Sequence, residues 1–270
     1  MVFNSIFFIF CFLPVFMLIY YLVPGKLRNL LLFLGSLIFY AWGEPVYVIL
    51  MLFSSIFNYY MGTELERLYY DDRKQKINLI FSIIINLAVL VFFKYYGFLL
   101  NTIGGIIGIH IPHPELSLPI GLSFYTFRNL SYLFDIYLSK VSAQRNFLTF
   151  AVYSTMFPYT SAGPIVRYTD IETQLKQRTI NISKFGTGAE LFVKGLAKKV
   201  LLADNLSVLY SSICGHPQMS VFTSWLGILA YTMQLYFDFS GYSDMAIGLG
   251  KMFGFDFMEN FNYTYMSQSI

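Results

Sequence analysis

Charge is scarce in this sequence: Asp, Glu, Lys and Arg make up 12% of its 270 residues. A water-soluble domain carries about 25%, so there is too little charge to coat a globule in water. Only two cysteines occur, Cys11 and Cys214, each in or beside apolar sequence. They support neither a disulfide framework nor a thiolate metal site. Histidine is rarer still than most residue types here, at three: His110, His113 and His216. Pro112, between the first two, excludes a regular helix there, and His216 beside Pro217 reads as a loop residue. No metal site is expected, and neither a Ser-His-Asp order nor a Cys-His pair stands out. The net charge of +3 is small and dispersed, which excludes nucleic acid as a partner. No repeat, low-complexity tract or Pro/Ser-rich linker divides the chain, so one domain over residues 1–270 is expected.

What is present in excess is apolar surface: 56% hydrophobic and 20% aromatic residues. The few charges are grouped. Lys26, Arg28 and Glu44 are the three before Tyr60, eight more fall between Glu64 and Lys76, and none lies between Asn205 and Phe237. Long uncharged runs punctuated by charged knots are what alternating exposure to lipid and water produces. A spanning helix needs about 20 residues, so a chain of this length has room for roughly seven to nine. The runs expected to be helical are 6–23, 27–42, 46–62, 77–100, 118–138, 147–156, 189–210, 221–237 and 242–255. The first lacks a preceding basic residue and a small-residue cleavage site, so it reads as a retained span. Runs 27–42 and 147–156 are short, hence tilted, re-entrant or interfacial. The fold class is therefore all-α: a polytopic transmembrane helical bundle with short or re-entrant helices, lying in the lipid bilayer.

Lys and Arg favour the cytoplasmic side of a membrane. With the N-terminus outside, Lys26 and Arg28, then Arg67, Arg73, Lys74 and Lys76, then Lys140 and Arg145, all fall inside. Tyr20, Tyr21, Tyr40, Trp42, Tyr59, Tyr60, Tyr95 and Tyr96 sit at the ends of apolar runs, where aromatic rings settle at headgroup level.

Ionisable residues within spans are the first functional suspects. Arg128 and Asp135, seven residues apart, share a helical face but stand about 10 Å apart along its axis, too far to pair directly. Each is either functional or satisfied by a neighbouring helix, or, for Asp135, placed at the cytoplasmic boundary. The run Phe237-Asp238-Phe239-Ser240-Gly241-Tyr242-Ser243-Asp244 is denser in polar groups. It reads either as a water-facing turn or as a helix break lining a polar cavity, because a lipid-facing position costs too much. Lys194, Lys198 and Lys199 make a basic face, which either snorkels to the interface or holds a phosphate-bearing group. Gly250 and Gly254 have the small-xxx-small spacing of a helix–helix contact.

The order of several segments resembles the membrane-bound O-acyltransferases, in the branch that acetylates bacterial polysaccharides such as alginate and peptidoglycan. The matching runs include Phe39-Tyr40-Ala41-Trp42-Gly43-Glu44-Pro45, Phe93-Lys94-Tyr95 and Leu118-Pro119-Ile120-Gly121-Leu122-Ser123-Phe124-Tyr125. They continue with Ala162-Gly163-Pro164-Ile165-Val166-Arg167-Tyr168, with Lys198-Lys199-Val200-Leu201-Leu202-Ala203-Asp204-Asn205, with 236–248, and with Glu259-Asn260-Phe261-Asn262-Tyr263. Two residues depart from the family pattern: Arg128 stands where an amide such as Gln is expected, and Thr264 where Pro is usual.

The resemblance implies a helical body with a tunnel through the bacterial cytoplasmic membrane. It also implies a cytoplasmic thioester donor such as acetyl-CoA, no bound cofactor, a polysaccharide acceptor and an extracellular or periplasmic acetyltransferase partner. It further implies a general-base histidine in a tryptophan-flanked segment shortly after the Glu259–Tyr263 run. None of His110, His113 or His216 matches it, so no catalytic residue is assigned and the chain reads as the N-terminal portion of a longer enzyme. Arg128, Arg167, Tyr236, Asp238, Ser240, Tyr242 and Asp244 are the candidates to line the cavity. Two alternatives stand beside acetyl transfer: D-alanyl transfer to a wall polymer, and a lipid or polysaccharide transporter subunit without chemistry of its own.

Overall fold

The computed structural model describes residues 1–108, 117–161, 163–216, 220–261 and 264–266. His110, Pro112, His113, Ala162, Pro217, Asn262 and Tyr263 lie outside the described residues. Among those described, every regular element is helical. The α-helices are α1 (Leu13–Leu22), α2 (Arg28–Gly43), α3 (Val48–Arg67), α4 (Asp72–Ile107), α5 (Leu122–Tyr137), α6 (Phe147–Thr155), α7 (Tyr168–Lys176), α8 (Ile182–Ala197), α9 (Asp204–Cys214) and α10 (Val221–Met252). A π-helical turn, Phe8–Phe12, leads into α1, and a second, Lys198–Ala203, joins α8 to α9 without interruption.

Local chemistry sets the boundaries. Side-chain oxygens of Asp71, Asn146, Asn181 and Ser220 accept from the backbone N–H three residues on, capping α4, α6, α8 and α10. Each satisfies a donor that a helix leaves without a partner in its first turn. Pro24 stops the helical run of α1, since proline disfavours helix in the residue before it. Gly108, at φ 74°, ends α4 in the left-handed conformation that glycine adopts without strain.

Among the described residues, two helices, α3 and α4, are long and apolar enough to cross a bilayer. Only 28% and 22% of their most apolar windows are buried. Their hydrophobic side chains therefore face outward, the reverse of a core helix in a water-soluble protein. The run expected at 118–138 forms a shorter helix. Helix α5 has 16 residues, about 24 Å at 1.5 Å per residue, against a hydrocarbon core of about 30 Å. Its residues Tyr125, Arg128, Asn129, Tyr132 and Leu133 are all buried in protein. Runs 221–237 and 242–255 are likewise not two helices but the single 32-residue α10. Helix α7 was not expected at all.

The chain folds into two compact units, Pro24–Ser161 with Arg167–Thr169, and Met1–Val23 with Ala162–Val166 and Asp170–Ile270. In the first, Tyr40, Met51, Leu90, Leu122 and Tyr125 form a buried core. Helices α3 and α4 are tied by a reciprocal amide pair: Asn58 donates to Asn86 (3.0 Å) and Asn86 to Asn58 (2.9 Å). Asn129 of α5 donates to Ser54 (3.2 Å), and Ser55 donates to Ser154 of α6 (3.0 Å). Polar side chains inside an apolar bundle bind helices to one another in this way.

In the second unit, α8 and α10 run antiparallel at glycine contacts. A Cβ on Gly195 would stand 2.5 Å from the Gly241 carbonyl oxygen, and one on Gly188 would stand 2.6 Å from that of Gly248. The helix contact thus uses Gly241 and Gly248, not Gly250 and Gly254 as the spacing suggested. Gly250 is filled against by the Phe257 ring, and Gly254 lies past the helix end at φ 91°. Tyr20 donates to the Phe253 carbonyl (2.8 Å) and Tyr21 to that of Met252 (2.6 Å), satisfying acceptors at the end of α10. Tyr20 and Tyr40 are accordingly buried, whereas Trp42, Tyr60 and Tyr95 are exposed as an interfacial belt requires.

Candidate functional site

Asp238 and Asp244 lie on one continuous helix, so the stretch 237–244 is neither a turn nor a break. The irregularity is in the opposing segment. Where α10 passes the π turn, Lys198 donates to Asp244 at 2.6 Å, and Lys199 reaches Asp238 at 2.7 Å and Asp204 at 2.9 Å. Five ionisable side chains thus meet in one cluster. The close approach at Gly195 and Gly241 is what lets these side chains span the two backbones, since a Cβ at Gly241 would press on Lys199 N and Lys198 Cβ at 3.1 and 3.2 Å.

The π turn itself explains the Lys199–Asp204 contact. Residues five apart lie about 140° apart around an α-helix and do not face one another. Widening the turn to i→i+5 hydrogen bonding, here Asp204 N–H to the Lys199 carbonyl, brings them together. Asn205 donates its side-chain amide to the Leu201 carbonyl at 2.9 Å, occupying an acceptor that the widened turn would otherwise leave open. Single π turns inside α-helices occur frequently at functional positions.

The cluster is only partly withdrawn from solvent. The carboxylates of Asp204 and Asp238 are almost half exposed, that of Asp244 is 16% exposed, and Lys199 is 25% exposed. Three carboxylates against two ammonium groups leave a net negative charge and spare acceptor capacity on the exposed oxygens. Such a set can accept hydrogen bonds from hydroxyl groups or hold a cationic group. The hydroxyls of Ser240 and Ser243, on the buried side of α10, find no hydrogen-bond partner among the described residues. Tyr242 stacks on Phe3 with ring centroids 4.7 Å apart. Tyr236 packs against Tyr265 (5.0 Å) and Phe261 (5.8 Å). Lys194, read with the other two lysines as one basic face, instead pairs along the helix with Glu190 at 2.6 Å. Asp204 was not singled out in sequence; its signal is the five-residue step from Lys199, meaningful only once a π turn is known.

Arg128 belongs to the other unit and does different work. It is fully buried; Nη1 donates to the Ser154 carbonyl at 3.1 Å and Nη2 to that of Tyr159 at 2.6 Å. Its guanidinium also lies 4.0 Å from the centroid of the Tyr159 ring. These carbonyls flank the point where α6 gives way to a 3-10 turn, Phe157–Tyr159. The same break is held by Thr160, which donates to Thr155 and Met156, and by Ser36, which accepts from the Phe157 N–H. Backbone freed within the membrane must find such partners. Asp135, at the end of α5, stands 3.8 Å from Lys140. Arg167 is exposed at the start of α7. Among the described residues, no three His, Cys, Asp or Glu side chains form a metal-binding group.

An apolar exterior, broken short helices held from within, and ion pairs set between glycine-packed helices define a helical membrane protein with a polar interior. The chain belongs to the membrane-bound O-acyltransferase family, whose family model matches residues 45–267. It is 43% identical to the probable alginate O-acetylase of Pseudomonas aeruginosa over 274 residues, covering 100% of this chain and 53% of that protein. It is 33% identical to a peptidoglycan O-acetyltransferase of Helicobacter pylori, covering 100% of this chain and 57% of that protein. A teichoic acid D-alanyltransferase of Bacillus subtilis is 25% identical over 60% of this chain. The chain spans about half the length of the curated O-acetylases it matches.

Proposed function

We propose that the protein containing this chain is a membrane-bound O-acetyltransferase that passes an acetyl group from a cytoplasmic thioester to hydroxyls of an extracellular polysaccharide. The observation that carries this reading is the similarity, over the whole chain, to proteins named for acetylation of alginate and of peptidoglycan. The membrane is the bacterial cytoplasmic membrane, crossed several times with the basic loops inside, and the donor is acetyl-CoA or a related thioester. An extracellular acetyltransferase partner and a polysaccharide acceptor complete the pathway of the group. The general base is contributed by a histidine in that part of the relatives' length which this chain does not span.

Within the chain, Arg167, Tyr236, Asp238, Ser240, Tyr242, Asp244 and Arg128 are proposed to shape the polar route. Asp238 and Asp244, fixed by Lys199 and Lys198, are suited to orient a polar substrate, and polar groups at membrane depth are tolerated where they line a wet cavity. Arg128 holds the broken α6 within its own unit.

The test is transfer by the full-length protein in sealed vesicles supplied with labelled acetyl-CoA. Label recovered on an acceptor polysaccharide supports the reading. D-alanyl transfer, suggested by the more distant teichoic acid relative, predicts activity with a D-alanyl thioester and none with acetyl. Passage of intact polysaccharide without thioester consumption would replace the enzyme reading with that of a transporter.

A further inference from the structure

An open cavity of about 490 Å³ lies where α3 ends and α4 begins, with Glu66, Tyr69, Tyr70, Ser139, Lys140 and Arg145 in its wall. Helices α3 and α4 are each long and apolar enough to cross a bilayer, so their junction marks the depth of the membrane–water interface. The wall is fixed before any ligand arrives. Gln144 is buried; its N–H donates to the Tyr132 hydroxyl at 2.9 Å and its amide to the Tyr168 hydroxyl at 2.8 Å. The Arg145 carbonyl accepts from Tyr59 at 2.7 Å. Beside them Ser139 is held at φ 56°, the one non-glycine residue with positive φ among those described. Backbone in that region persists only when its surroundings impose it, and it gathers at functional sites.

The lining carries both signs. Lys140 has one long ion pair, 3.8 Å to Asp135, whose other carboxylate oxygen is buried without a hydrogen-bond partner. Arg145 is 74% exposed and pairs with Glu66. Tyr70, 96% exposed, and Tyr69 stand edge to face with centroids 5.3 Å apart. A purely anionic ligand would be opposed by Glu66, and a purely cationic one by Lys140 and Arg145. We propose that this cavity binds the zwitterionic headgroup of a phosphatidylethanolamine-type lipid. Its phosphate lies against Lys140 and Arg145, and its ammonium against Glu66 and the Tyr69 and Tyr70 rings. An ammonium on an aromatic face is held by the ring quadrupole, and the interfacial depth places an acyl chain alongside the exposed apolar faces of α3 and α4.

Native mass spectrometry of the full-length protein, titrated with phosphatidylethanolamine, phosphatidylglycerol and free phosphoethanolamine, tests this. Expected is saturable binding of phosphatidylethanolamine, weakened by about tenfold in Lys140→Gln and by roughly two- to fivefold in Tyr70→Ala, the worth of an exposed cation–π contact. Tyr70 is so exposed that its replacement leaves the fold intact, so its result stands even if Lys140→Gln misfolds. Free phosphoethanolamine binding as tightly as the lipid would reassign the site to a soluble zwitterion. Equal or tighter binding of phosphatidylglycerol, or lipid binding that neither substitution changes, overturns the proposal.

Discussion

Arg128 and the Lys198–Lys199 pair place positive charge inside an apolar protein in two opposite ways. Arg128 is sealed in and donates to the Ser154 and Tyr159 carbonyls, with no carboxylate paired to it among the described residues. Lys198 and Lys199 face three carboxylates and remain partly open to solvent. Each stands at a helix irregularity, the break after α6 and the π turn after α8. The first arrangement has no spare acceptor and no access, which suits support. The second keeps exposed carboxylate oxygens, which suits contact with a substrate. A charge in the interior is thus read by what remains unoccupied around it, more than by its burial.

The comparison is broken most severely at Arg128. Arg128→Met should remove about 3–5 kcal/mol of stability, because two buried carbonyls lose charged donors, and activity should fall only in step with folded protein. Thermal unfolding in detergent, followed by tyrosine and tryptophan fluorescence, measures the first. Arg128→Gln, which keeps a donor for one carbonyl, should recover a large part of the loss. A midpoint unchanged in Arg128→Met would mean that the guanidinium has no supporting role.

Next in size is the glycine crossing. Gly241→Ala puts a methyl group 2.8 Å from the Gly195 carbonyl oxygen and should cost about 1–3 kcal/mol through forced separation of α8 and α10. It should also lower activity beyond the loss of folded protein, since the ion pairs span that gap. Gly186→Ala, where nothing lies within 4 Å of the added carbon, is the control and should leave both unchanged.

Lys199→Met sharpens the contrast from the other side. Its pairs are partly solvated, so stability should change by less than about 1 kcal/mol. Transfer should nevertheless fall by about tenfold or more, equivalent to roughly 1.4 kcal/mol at the transition state. A large drop in the melting midpoint with normal turnover of the remaining folded protein would make this cluster structural as well.

The smallest effect concerns the cap of α4. The Lys74 side chain and backbone N–H hold the Asp71 carboxyl below the ordinary aspartate range. A carboxylate stabilised in the folded state contributes above its unfolded pKa and ceases to contribute as pH falls through the folded value. The difference in melting midpoint between the native protein and Asp71→Asn should therefore be steady near neutrality and close in acid below the ordinary aspartate range.

Much of the fold was legible because apolar runs of adequate length have few alternatives in a membrane. The ends of α2, α3 and α6 fall within about five residues of the expected ones for that reason. Failures arose where tertiary partners decided the outcome. The run 237–244 looked like an interruption because its carboxylates had no visible partner; Lys198 and Lys199, some 40 positions earlier, supply one. The true irregularity fell in Lys198–Ala203, where ordinary helix formers give no warning. Helix α7 escaped notice because it is short and carries Asp170, Glu172 and Lys176, reading as a polar connection. Arg128 was singled out as a charge within an apolar run, yet no sequence pattern names carbonyls 26 and 31 residues away as its partners.

The π turn has a further consequence for how this chain tolerates change in length. It is an α-helical stretch carrying one residue more than its hydrogen bonding requires. Deleting Val200 would let the stretch 182–214 close as a plain α-helix, at little cost to the helix itself. Asp204 would then stand four residues after Lys199, about 40° from it around the axis, so the two would still share a face. The shortened protein would remain helical and keep its charges aligned, so the widened turn acts as a slack loop that takes up one residue without turning α9 away from α8.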